Sequence, residues 1–362
     1  MSGSGAPAPI DLDLGDLEEA ARQKIGEMAY AYFAGGAEDE HQLAENLAGW
    51  RRWRLRPRVL VDVSAISTTT TVLGSPVALP VMVAPTALHG FADPLGEVAT
   101  ARAAARADVC FVLSCLANRD LREVAEEPGL RWMQVYVLKD RGRTAEMVGR
   151  AAAAGYRALV LTVDAPVSGL RRRELRANMA LPPEFTLPNL ADPEDARRLG
   201  RGFMAAVLGA FDPTIGFDDI GWLAEVAGLP VVVKGVARGD DARRCIEAGA
   251  SAVSVSNHGG RQLNDGVPTA DALAEVVDAL AGAGEVYVDG GIRRGPDVVK
   301  ALSIGATAVM VGRPVLWALA NGGSDGVLEL FEWLGAEVGR TMALCGATTI
   351  AALDRSLTVR AT

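Results

Sequence analysis

The sequence predicts a closed (β/α)8 barrel. Eight short apolar runs rich in β-branched residues recur along the chain, at 80–84, 109–113, 132–137, 158–163, 230–234, 252–256, 285–289 and 307–311. Most read as continuous apolar stretches, the pattern of a strand buried on both faces of a parallel sheet. Between most of them lie Ala-rich segments with helical spacing, at 96–106, 143–154, 239–248, 270–282 and 296–303. Eight such units in 362 residues favour closure into a barrel over an open doubly wound sheet, and one domain spanning 16–362.

In front of the barrel, residues 1–15 are rich in Gly, Ser, Pro and Ala and are expected to form a flexible tail. A helix is predicted to start at Asp16, with Glu19 as capping-box partner. Leu17, Ala21, Ile25, Met28 and Tyr32 then fall on one stripe, and Gly35-Gly36 ends it. Spacing alone puts Tyr32 in the core. Residues 50–76 read as short strands or an irregular lead-in. One interval breaks the rhythm: about 65 residues separate strands four and five, against about 25 elsewhere. The excess, 175–215, carries Pro182, Pro183, Pro188, Pro193 and Pro213, and reads as a mobile lid or as an oligomer-facing insertion. A last helix is predicted over 326–344.

Bulk properties exclude several classes. A net charge of -9 argues against nucleic acid or an anionic membrane as partner, but leaves room for a local basic pocket. Four cysteines (Cys110, Cys115, Cys245, Cys345) without a CxxC pair fit a reducing compartment and offer no zinc or other metal site. The first residues lack a basic start and an apolar core, no apolar run reaches about 20 residues, and the last three residues are not a peroxisomal tripeptide. The expected location is the cytoplasm.

Chemistry concentrates where the strands end, as it does in barrels of this kind. Strand one ends Ala84-Pro85-Thr86-Ala87, strand two at Ser114, strand three at Gln134-Val135-Tyr136, and strand four at Thr162-Val163-Asp164, with Arg171 beyond. Strand five ends Lys234-Gly235. Strand six breaks into Ser256-Asn257-His258, turns through Gly259-Gly260 and presents Arg261. An imidazole suits proton abstraction near neutral pH, and a guanidinium fork suits a carboxylate. Asp164 can pair with His258 and fix its tautomer. The other histidines are His41, in a polar segment, and His89, which could border the site. After strands seven and eight come Asp289-Gly290-Gly291-Ile292-Arg293 and Gly312-Arg313-Pro314. Those loops are the usual phosphate seat of such barrels, with glycines admitting main-chain N–H groups and arginines adding charge. The phosphate could belong to a cofactor or to a substrate. Lys234, ending a Val231-Val232-Val233 run, needs a partner if buried, and a flavin ring edge is one. Ser114, Gln134 and Thr162 offer hydrogen bonds to such a ring.

These motifs together resemble the FMN-dependent α-hydroxy-acid oxidases, the family of glycolate oxidase, lactate oxidase and mandelate dehydrogenase. The resemblance is carried by YAYFAGGAEDE at 30–40, APTA at 84–87, QVY at 134–136, TVD at 162–164, VKG at 233–235, SNHGGRQL at 256–263, DGGIRRG at 289–295 and GRP at 312–314. It implies a TIM barrel with FMN at its mouth, assembled as a homotetramer or homo-octamer, that oxidises an (S)-2-hydroxy acid to a 2-oxo acid. Carried over by motif, His258 accepts the proton and Asp164 is its partner. Arg171 and Arg261 hold the substrate carboxylate, with Tyr32 and Tyr136 assisting. The FMN contacts implied are Pro85, Thr86, Ala87, Ser114, Gln134, Thr162, Lys234, Ser256, Asp289, Gly290, Gly291, Arg293, Gly312 and Arg313. The proton taken is that on Cα or that on the hydroxyl; both routes use the same side chains.

The chain departs from the family pattern at informative places. Glycolate oxidases commonly carry Trp two residues after the strand-two serine; Leu116 stands here, enlarging the substrate pocket. Asn264 replaces the acid of RQLD, past the catalytic pair. Ala87 resembles the oxidases, which implies O2 as acceptor and H2O2 as product. VDAPVSGLRRRE at 163–174 is closer to the mandelate branch. The expected substrate is therefore an aromatic acid, (S)-mandelate or 4-hydroxymandelate. The alternatives are an L-lactate or glycolate oxidase, an FMN-bound isomerase barrel acting on a diphosphate, and a non-catalytic phosphate-binding barrel.

Overall fold

The computed structural model describes residues 12–182, 184–190 and 207–361. Eight parallel strands close into a barrel: Val81–Val83, Phe111–Ser114, Arg131–Val135, Leu159–Thr162, Val231–Val236, Ala252–Val255, Glu285–Val288 and Ala308–Val311. Each pairs with its neighbour in chain order, and the ring closes through Val309 on Val81, Met310 on Met82 and Val311 on Val83. All eight coincide with the apolar runs of the sequence. The helices Glu97–Arg106, Arg141–Ala153, Gly239–Glu247, Thr269–Leu280 and Gly295–Ile304 fill the outer ring.

Strand alternation sorts the side chains into two sets. Val83, Leu113, Val135, Leu161, Val233 and Val288 face the helices and belong to the main core. Met82, Val112, Trp132, Val160, Val232, Tyr287 and Met310 fill the barrel interior. A hairpin of Thr70–Val72 and Ser75–Val77 plugs the lower end, with Val72 and Val77 joining that interior cluster. Two residues further along the same inward rows come Ala84, Ser114, Gln134, Thr162, Lys234, Asp289 and Gly312. Period-two geometry thus stacks the polar residues as one layer on top of the apolar interior.

The N-terminal segment differs from expectation. Helix Leu14–Ala34 starts before Asp16: the Asp13 side chain caps it, accepting from the N–H groups of Gly15 and Asp16, at 2.7 and 3.1 Å. Asp13 offers its oxygen to the first free N–H groups, so the Asp16–Glu19 box has no end to cap. The helix breaks at Gly26 (φ 78°), so the stripe from Leu17 to Tyr32 is not continuous. Residues 1–11 of the expected tail lie outside the described residues. His41 opens the next helix, His41–Arg52. The last helix also begins earlier than expected. It runs Arg313–Cys345 with Pro314 in its first turn and a break at Gly322–Gly323. Its first part packs Leu316 and Trp317 on Ala21, Phe33 and Ala34, which draws the N-terminal helix across the barrel mouth. No helix among the described residues is long and apolar enough to cross a membrane.

Candidate active site

A cavity of about 1100 Å³ opens at the C-terminal ends of the strands. It is lined by Pro85, Thr86, Ala87, Ser114, Gln134, Thr162, Lys234, Asp289, Gly290, Gly291, Arg293, Gly312 and Arg313, and by Tyr32, Leu116, Tyr136, Arg171, His258 and Arg261. Of the remaining expected residues, Asp164 and Ser256 stand one step behind, each bonded to a lining residue.

The floor is a hydrogen-bonded layer. Gln134 donates to Thr162 Oγ1 at 3.0 Å and accepts from Ser114 Oγ at 3.2 Å. Lys234 is buried (5% exposed), with its Nζ 2.8 Å from Asp289 Oδ2 and 2.8 Å from Ser256 Oγ. Ser256 Oγ donates to Asp289 Oδ1 at 2.7 Å. Burial pushes the Lys234 ammonium down, but the Asp289 and Asp164 charges outweigh it and hold its pKa above the ordinary lysine value. Asp289 thus pairs with the lysine at the floor and lines the cavity at the same time.

One wall holds a histidine–aspartate pair. His258 sits in a left-handed conformation (φ 56°), its N–H donating to Ser256 Oγ at 3.1 Å. Its Nδ1 lies 2.8 Å from Asp164 Oδ1. An N–H at Nδ1 facing the carboxylate leaves Nε2 as the basic nitrogen. Burial alone would raise the Asp164 carboxyl; the charges of His258 and Lys234 hold it below the ordinary range.

Beside it stand two arginines. Arg261 Nη1 donates to the main-chain carbonyls of Tyr32 and Gly35, at 2.6 and 2.9 Å. The guanidinium lies over the Tyr32 ring, 5.1 Å from its centroid. Arg171 donates to Gln262 Oε1 at 3.2 Å. Gln262 also bonds Gly169 N, Val167 O and Asp164 O, tying the two strand-end loops together. Gly169 is required there, since a Cβ would run into the Arg261 carbonyl. Gln262, Gly169 and Glu174 all lie within the quoted motifs, yet their roles became visible only in space. Glu174 Oε1 contacts Arg261 at 2.9 Å and Arg171 at 3.5 Å.

The opposite end carries two further arginines. Arg313 donates only to main-chain carbonyls, of Phe33, Gly259 and Gly35, at 2.9–3.0 Å. The Arg293 guanidinium donates to the Ile292 carbonyl, at 2.9 Å. Neither guanidinium has a carboxylate partner among the described residues. Burial, with Arg261 and Arg293 nearby, pushes Arg313 down to about 9. Two buried, unneutralised guanidiniums beside a Gly290-Gly291 turn fit a phosphate. Gly291 has φ 82°, and a Cβ there would strike the carbonyl of Asn46. His89, expected to border the cavity, lies fully buried behind Thr86, its Nε2 2.5 Å from Thr86 Oγ1.

A profile of FMN-dependent dehydrogenases matches residues 21–360. The chain belongs to the FMN-dependent dehydrogenase family. An L-lactate oxidase of Nostoc sp. is 46% identical over 359 residues, covering 95% of this chain and 97% of its own. A glycolate oxidase of Spinacia oleracea is 42% identical, covering 95% and 94%. A solved mandelate oxidase with (S)-4-hydroxymandelic acid superposes with a TM-score of 0.92 at 40% identity, covering 97% of this chain and 100% of its own. For an FMN-dependent dehydrogenase the residues present fit the cofactor. Arg293 and Arg313 would hold its phosphate, and the Ser114–Gln134–Thr162 layer and Lys234 its ring. FMN supplies the two-electron acceptor when bound.

Proposed function

We propose that this chain oxidises aromatic (S)-2-hydroxy acids, (S)-mandelate or (S)-4-hydroxymandelate, to the 2-oxo acids, with O2 reduced to H2O2. In this reading Arg171 and Arg261 bind the carboxylate, and the Tyr32 and Tyr136 hydroxyls assist. His258 Nε2 takes a proton from the bound acid, and Asp164 stabilises the imidazolium that forms. Lys234 places positive charge where electrons arrive.

The observation that carries the aromatic choice is the wall beside the arginines. Leu116, at the end of the second strand, lines the cavity with Met179, Leu181, Leu208 and Phe211. That surface is apolar, which suits an aromatic ring. Ala87 at the cavity edge supports O2 as acceptor. A second reading, L-lactate or glycolate oxidation, is favoured by the 46% identity to the Nostoc L-lactate oxidase. Steady-state oxidation of (S)-mandelate, (S)-4-hydroxymandelate, L-lactate and glycolate separates the two. The highest kcat/KM on lactate or glycolate would reject the aromatic choice.

The same reading makes the protein a cytoplasmic homotetramer or homo-octamer, with four reduced cysteines, and makes 175–215 the segment that closes over bound acid. Met179, Leu181, Leu208 and Phe211 of that stretch line the cavity. Pro183 and Pro193 lie outside the described residues.

A further inference from the structure

The fixed charges around the cavity pair off unevenly. Lys234 is matched by Asp289, and His258 by Asp164. Arg293 and Arg313 form the anion seat. What remains is Arg171, Arg261 and Glu174, all mostly buried, with side-chain exposures of 14–19%. One oxygen, Glu174 Oε1, touches both guanidiniums, at 2.9 and 3.5 Å. The trio carries a formal charge of +1, which one carboxylate neutralises. Arg261 cannot swing away from this arrangement, because Nη1 is committed to the carbonyls of Tyr32 and Gly35.

We propose that Glu174 is a specificity-determining residue that cancels one of the two guanidinium charges, so that the acid seat accepts a monocarboxylate and rejects a dicarboxylate. The inference rests on the reading of Arg171 and Arg261 as the seat of the substrate carboxylate. A second carboxylate on the same carbon as the first would be left facing Glu174 without a free cation. In a mostly buried site such like-charge juxtaposition is unfavourable. The substrates of this seat are therefore 2-hydroxy acids without a second carboxylate beside the first.

The test uses FMN-loaded enzyme and two inert ligands of the same ring, phenylacetate and phenylmalonate. Dissociation constants are read from the flavin difference spectrum at fixed salt and pH 8. The native enzyme should prefer phenylacetate. Glu174→Gln, which removes the charge and keeps the shape, should narrow that preference at least about tenfold, a change of about 1.4 kcal/mol. Glu174→Asp should restore it. FMN content and the melting curve report whether each variant is folded. A preference in Glu174→Gln within twofold of native overturns the proposal, whether or not both ligands bind more weakly, because that pattern belongs to a residue that only orients the arginines. Arg261→Met separates the two levels of the argument. If that variant binds phenylacetate as the native enzyme does, the acid seat itself is misassigned. If it binds more weakly while Glu174→Gln leaves the preference unchanged, only the role of Glu174 falls.

Discussion

His258 Nδ1 lies 2.8 Å from Asp164 Oδ1, although 94 residues separate the two in sequence. The contact leaves Nε2 as the only basic nitrogen of the ring. His258→Ala should therefore retain FMN, since no cofactor contact is assigned to the ring, and lose about 10²–10⁴-fold in kcat. Asp164→Asn should keep the fold and lose activity in the same range, because the amide no longer stabilises an imidazolium. Stopped-flow reduction by (S)-mandelate without air measures both. A near-native rate in His258→Ala would remove it as the base.

Lys234 and Asp289 form a buried ion pair at the cavity floor, 2.8 Å apart. Lys234→Met leaves the Asp289 charge buried without its cation, a loss of about 3–5 kcal/mol for a broken buried pair. The expected result is a lower urea midpoint and a lower ratio of flavin to protein absorbance. Lys234→Met with Asp289→Asn should recover much of the stability but not the flavin reduction rate.

Burial, and then the neighbouring charges of Arg261 and Arg293, push the Arg313 pKa down to about 9. An anion bound beside it offsets the repulsion from those neighbours. Inorganic phosphate should raise the melting temperature of the protein stripped of FMN. Arg313→Leu should abolish the phosphate effect. A phosphate response that survives in this variant would place the anion elsewhere.

Leu116 lines the cavity wall against which the aromatic ring is proposed to lie. Leu116→Trp should fill the space proposed for the aromatic ring and lower kcat/KM for (S)-mandelate at least about tenfold relative to glycolate, the scale of a few buried methylenes. Equal losses on the two acids would mean that the ring lies against another part of the cavity.

His89 and Glu97 are both fully buried and make opposing contributions to pH dependence. Burial drops the His89 pKa from 6.5 to about 3, so the unfolded chain takes up a proton first as pH falls. Stability is full above pH 6.5 and declines toward pH 3, by about 3 kcal/mol at pH 4. Burial raises Glu97 from 4.5 to about 6, so its contribution is full below pH 4.5 and is lost as pH rises through 6, by about 2 kcal/mol. His89→Gln should flatten the acid limb of a urea-stability profile, and Glu97→Gln should remove the decline between pH 4.5 and 6. Unchanged limbs in these variants would contradict the burial argument.

Much of the architecture was legible in the sequence because strand and helix periodicities are local. Val231-Val232-Val233-Lys234 announces a buried strand with a charged end, and the structure puts the lysine on the inward row. Within the motif after strand seven the partners in space were not legible: Asp289 pairs with Lys234 on a strand two positions away around the barrel, and the Arg293 guanidinium, four residues on, donates to the Ile292 carbonyl. The start of the first helix was misread because both Asp13 and Asp16 are good caps, and no rule of spacing chooses between them. His89 read as a possible wall residue because nothing in its local pattern distinguishes cavity from core.

The order of strands, the row of polar residues at their ends, and the family were set by the sequence itself, through patterns a few residues long. Which charge meets which was decided only by closure of the barrel. Glu174 lies 87 residues from Arg261 and touches it because the fourth- and sixth-strand loops are tied by Gln262 over Gly169. Electrostatic partnership depends on distances of a few ångströms through space, and those distances exist only once the ring of strands has closed.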